Sequence, residues 1–149
     1  MAAKNLLMDF EDLIDFQLYG IISGHLDAPW FVYLFNREFG TRFARIRDMD
    51  VKIDEHVVYF PVFEWEDVQT GEIYHIIKNQ SYSLEKKAAV SDLTSMFDVA
   101  PVLISQYKDY AFFLKVSGEN SIPLLETNFI RKITKLRTER VKTIERLLF

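Results

Sequence analysis

The chain has no cysteine, which excludes disulfide bridges, thiolate zinc sites and thiol nucleophiles. Glycine and proline are scarce, at five and four residues, and no repeat or low-complexity linker interrupts the sequence. Long apolar runs are missing as well. The stretch MAAKNLLMDFEDLIDF places one Lys before its apolar residues and then four acids by Asp15. A signal peptide or a membrane span needs a longer uninterrupted apolar run. A soluble, cytoplasmic protein with no membrane partner is expected.

Aromatic residues are plentiful. Hydrophobic content is 49% and aromatic content 15%, with thirteen Phe and seven Tyr. At 149 residues this suits one domain burying about 70% of its unfolded surface. We expect a single α+β domain over residues 1–149, with residues 1–12 loosely ordered. The aromatic surplus favours self-association, and Trp30, Phe31 and Phe35 are its candidate residues.

The net charge of −4 is unevenly spread. Residues 131–149 hold seven basic and two acidic side chains. Subtracting these from 18 and 22 leaves 11 basic and 20 acidic residues in 1–130. The body is acidic and the tail basic.

Along the chain, Asp15–Ser23 reads as a central strand because its apolar run is nearly continuous. Asp27 reads as an N-cap, Pro29 suits a first helical turn, and Gly40 supplies the stop. The segments Thr41–Arg47 and Val57–Glu66 read as strands, the latter with Pro61 marking an edge or a bulge. Gly71 turns the chain into the hairpin strand IYHIIKN. Residues 80–98 read as loop. In YAFFLKV, Tyr110, Phe112, Leu114 and Val116 alternate with Ala111, Phe113 and Lys115, so Ser105–Asp109 reads as a connection between strands. Ser121 and Pro123 resemble a helix start, with Leu125, Phe129, Ile133 and Leu136 following at helical spacing. That spacing runs on weakly through Val141, Ile144 and Leu148; a strand after about Leu136 is the alternative. The expected architecture is a mostly antiparallel sheet with two main helices on one face, its β-α-β halves arranged in ferredoxin-like fashion.

FQLYGIIS, LFNREFG, VFEWED…EIYHIIKNQS and VKTIERLLF together resemble the IPExxxVDY family, small proteins of Bacteroidota. In the naming motif Asp109 and Tyr110 match, and Val102 stands for Ile. Leu103, Ile104 and Lys108 replace the family's Pro, Glu and Val. The resemblance implies a fold and no catalytic residue.

Read for chemistry, the residues give little. Asp109 and Tyr110 are candidate interaction residues, although an Asp at a turn also holds its own backbone. His25, His56 and His75 are widely spaced and match no metal-binding pattern. GIISGH between strand and helix lacks the spacing and Lys of a phosphate loop. Two acidic clusters, Asp48/Asp50/Asp54/Glu55 and Glu64/Glu66/Asp67, read as solvated loops. No catalytic residue, cofactor or metal is therefore expected. The leading expectation is a non-catalytic interaction protein, homodimeric, with an unknown protein partner. The second is an RNA-associated accessory protein using Arg131, Lys135, Arg137 and Lys142 of the basic tail.

Overall fold

The first strand, β1 (Phe16–Ile22), is buried along nearly its whole length and lies inside the sheet, as its continuous apolar run requires. The computed structural model describes residues 14–82, 100–118 and 127–149. The expected N-terminal segment 1–12 lies outside these residues. So do most of the expected 80–98 loop and the helix start at Ser121 and Pro123.

Helix α1 (Ala28–Phe39) begins where Asp27 accepts a hydrogen bond from the Trp30 amide at 3.2 Å. It ends at Gly40, whose φ of 66° costs a glycine little. Its inner face buries Ala28, Phe31, Val32 and Phe35. Strand β2 (Ala44–Arg45) follows. β3 (Met49–Ile53) and β4 (His56–Phe60) then form a separate hairpin. Its turn residues Asp54 and Glu55 both take positive φ, at 50° and 68°. Strands β5 (Val62–Glu66), β6 (Ile73–Lys78), β7 (Phe112–Ser117) and β8 (Lys132–Leu136) complete the main sheet. Its order is β2-β5-β6-β7-β1-β8, with every neighbouring pair antiparallel.

The α+β class and the antiparallel sheet are as expected. Several elements differ. The helix expected through Ile133 and Leu136 is strand β8, so α1 is the one α-helix among the described residues. Ile133 and Leu136 lie on opposite faces, paired with Ile21 and Leu18 of β1. A second β-α-β half is likewise not found among the described residues. The crossover from β1 through α1 leads to β2 at the far side of the sheet. The run Val57–Glu66, expected as one strand, divides at Pro61 between the two sheets, because proline cannot donate to a ladder.

Both faces of the main sheet are covered. On one, Phe31, Val32 and Phe35 of α1 pack on Tyr19, Ile21, Phe112 and Leu114, with Phe31 stacked on Phe112 at 4.1 Å. On the other, Val58 and Phe60 of the small hairpin join Leu103, Ile104, Val141, Ile144 and Leu147 over Leu18, Ile77 and Phe113. The C-terminal residues reach this core through two short 3-10 turns, Thr138–Arg140 and Ile144–Leu147. Leu147 is fully buried and Phe149 is half exposed.

Ser105–Asp109, expected to join two strands, is a turn with a strand only after it; before it, Val102 makes a single bridge to Gln80. A 3-10 turn at Ser105–Tyr107 leads into β7, and Asp109 is exposed. Tyr110 packs its ring on Gly20 of β1. A Cβ at Gly20 would sit 2.7 Å from the Tyr110 ring, closer than carbon atoms approach without displacement. Gly20→Ala should cost about 1–3 kcal/mol, the range for overpacking a core. Adding Tyr110→Ala should restore part of that loss in thermal melts. A Gly20→Ala melt matching the parent would mean that the ring yields freely.

Candidate functional site

Three strands place titratable side chains in one row. Glu64 of β5 is registered opposite His75 of β6, and His75 opposite Lys115 of β7. The alternation of each strand puts these residues on the face away from α1, beside Leu18. His75 Nε2 lies 2.9 Å from Glu64 Oε2, and the His75 ring meets the Phe149 ring edge-on at 4.9 Å. Lys115 is 7% exposed. Its ammonium donates to the Phe149 main-chain oxygen at 2.9 Å, with the Phe149 ring 4.0 Å and the Phe16 ring 4.7 Å away.

Burial dominates the electrostatics here. It lowers the Lys115 pKa to about 8, against a smaller opposing pull from Asp15. Burial also lowers the His75 pKa, outweighing the hydrogen bond to Glu64 that would raise it. We therefore assign His75 as a neutral imidazole donating from Nε2 to the Glu64 carboxylate. An amine with such a lowered pKa has nucleophilic character near neutral pH. Access decides its role. Lys115 is buried, capped by the Phe16 and Phe149 rings and by the Phe149 main-chain oxygen. The row holds the C-terminal residues onto the sheet.

One local hint of this row is a Lys inside the otherwise apolar FFLKV. The covering residues are not hinted at: Phe149 lies 34 positions later and Phe16 near the start of the chain. Asn79 also escaped notice. Its side chain is 1% exposed and makes four hydrogen bonds, from the Leu103 and Ile104 amides and to the Tyr107 and Tyr110 carbonyls.

Of the aromatic candidates, Phe31 and Phe35 belong to the core and present no surface. Their hydrophobicity serves the contact between α1 and the sheet. Trp30 is exposed and stacks on exposed Tyr33 at 5.3 Å. Leu26 precedes them, and the Arg37 guanidinium lies 5.9 Å from the Tyr33 ring centre. Trp30, Tyr33 and Arg37 thus form a stripe along the outer side of α1, with exposed Leu26 just before its N-cap. Beside it lies an open depression of about 380 Å³ lined by His25, Trp30, Leu34, Arg37, Glu38 and Phe129.

The four basic candidates are exposed but do not share one face. Lys135 is registered opposite Tyr19, on the α1 side of the sheet. Arg131 and Arg137 flank β8 at its two ends. Lys142 belongs to the C-terminal segment, whose neighbours Val141 and Ile144 pack on the opposite face. Its amide donates to the Gln106 side chain at 2.7 Å. Asp109 is a solvent-facing turn residue, and Tyr110 has the packing role described above.

His25, His56 and His75 do not converge, and among the described residues no group of three His, Asp or Glu side chains is placed to hold a metal ion. No helix among the described residues is long and apolar enough to cross a membrane. Comparison with protein-family models, curated proteins and solved structures finds no match.

Proposed function

We propose that this is a small cytoplasmic, non-catalytic interaction protein that works as a homodimer. The observation that carries the reading is the exposed stripe of Trp30, Tyr33 and Arg37 along α1, with Leu26 just before its N-cap. Large aromatics set beside an Arg are the residue types enriched at interface hot spots.

A second copy suits this stripe. Trp30, Tyr33 and Arg37, three and four residues apart, have the spacing of a helix-pairing seam, with Leu26 extending it just before the N-cap. Antiparallel pairing about a two-fold axis between Trp30 and Tyr33 lays each Trp30 over the partner helix's Tyr33. It also sets the Leu26 end of one helix against the Arg37 end of the other. Opposed helix dipoles favour that arrangement, and Arg37 then approaches Asp27 of the other copy. Kinship with the IPExxxVDY proteins belongs to the same proposal, and the packing of Tyr110 on Gly20 gives the Tyr of the shared Asp-Tyr pair a structural task.

Light scattering coupled to size exclusion should report twice 17.6 kDa. Trp30→Glu with Tyr33→Glu should give a folded monomer, with its circular dichroism unchanged. A parent protein that stays monomeric at high micromolar concentration overturns the dimer.

A further inference from the structure

We infer that the outer side of β8 is a docking edge for an extended, acidic segment of a partner protein, which adds to the sheet as a further strand. β8 closes the strand order, pairs with β1 alone, and has no strand on its outer side among the described residues. An unpaired strand presents a ladder of backbone donors and acceptors that selects extended chains.

Charge selects the kind of chain. Arg131, Lys132, Lys135 and Arg137 are all exposed, and residues 130–138 contain no acid. Pairing with a second copy about Thr134 would set Arg131 opposite Arg137 in both halves, and like charges directly opposite destabilise a ladder. An acidic strand instead meets a cation at most positions. Ile133, half-buried between them, suits a β-branched residue at one position of the incoming strand. At the Leu136 end an open groove of about 360 Å³, lined in part by Phe16, Gln17, Lys135 and Arg137, can receive a side chain from that strand.

Basic residues on an edge also deter aggregation. A purely protective edge binds no peptide, so the two roles separate by experiment. The probe is a fluorescein-labelled octapeptide alternating Glu and Val, titrated with the full chain and followed by anisotropy at low salt. Saturable binding that weakens as salt rises is expected, with none to the Lys-Val counterpart. Backbone N-methylation at one alternate phase of the peptide should abolish binding, and at the other phase should leave it intact. That signature marks hydrogen bonding along one edge. Lys132→Glu with Lys135→Glu should weaken Glu-Val binding at least tenfold and create binding to the Lys-Val peptide. Both sites are exposed, so the fold, checked by circular dichroism, should survive. Absence of saturable binding overturns the proposal, as does indifference to both N-methylation phases. Tight binding of a uridine 15-mer with none of the peptide would reassign the basic segment to nucleic acid. Binding, its salt dependence and its N-methylation pattern are decided at one edge of one copy, so the dimer stands or falls separately.

Discussion

Replacing Asn79 by Ala should lower the unfolding midpoint by on the order of 10 °C. The side-chain amide donates to the Tyr107 and Tyr110 carbonyls at 3.0 and 2.9 Å and accepts from the Leu103 and Ile104 amides at 3.0 and 3.1 Å. All of this lies in a site where the residue is 1% exposed. A net hydrogen bond contributes about 1 kcal/mol, and orphaned buried partners add their own desolvation cost. The Leu103 amide keeps its bond to the Asn79 backbone carbonyl, which moderates the sum. A loss of about 3–4 kcal/mol is expected, and each kcal/mol moves the midpoint about 2–4 °C in a chain this long.

The damage should spread along a defined route. Arg146 donates to the Leu103 carbonyl at 2.7 Å, and Gln106 bridges the Arg140 carbonyl and the Lys142 amide. Residues 102–110 are therefore the platform on which the C-terminal segment rests. Hydrogen exchange in Asn79→Ala should quicken at Val141–Leu147 as well as at Leu103–Tyr110. Asn79→Asp should do no better, since its second oxygen would face two carbonyls. A variant melting within two degrees of the parent would show that burial of Leu103 and Ile104 holds the platform without Asn79.

The parts of this fold legible in the sequence are those fixed by local chemistry. Asp27, Pro29 and Gly40 bound α1 because capping and left-handed φ are properties of single residues. β1 and the β5–β6 hairpin follow from apolar runs and from Gly71, whose φ is 77°. β3 was hidden by its charges: Met49, Val51 and Ile53 alternate with Asp50 and Lys52, but Asp48, Asp54 and Glu55 make the stretch look like a loop. Its turn uses Asp-Glu at positive φ, where Asn-Gly is the familiar signal. β8 was misread for a different reason. Over a short segment, Phe129, Ile133 and Leu136 fit a helical spacing, while a strand in the same place simply divides Ile133 and Leu136 between two covered faces. What decides between them is the side of β1 left open for a partner, a tertiary fact. The row at Lys115 is harder still, since its cover, Phe16 and Phe149, comes from distant parts of the chain.

That cover leads to the second large effect. Lys115→Met should remove a pH dependence of stability confined to roughly pH 8 to 10.5. In the folded protein burial holds the Lys115 pKa at about 8, against an ordinary value of 10.5. Between those limits the unfolded chain binds more protons than the folded one, so the parent gains stability as pH rises through the window. Below it, the charged ammonium is buried at a cost that the Phe149 main-chain oxygen and the two flanking rings only partly offset. At about 1.4 kcal/mol per pH unit, the difference between parent and variant should change by on the order of 3 kcal/mol across the window. The neighbouring His75 titrates below this range, its pKa being lowered by burial from 6.5. Tyr74, raised to about 12, pulls stability the other way above pH 10, but it does so in both proteins and cancels in the difference. Urea unfolding of the two proteins at half-unit intervals from pH 7 to 11 measures that difference directly. Parallel curves would show that Lys115 keeps its ordinary pKa, and that water reaches it past Phe149.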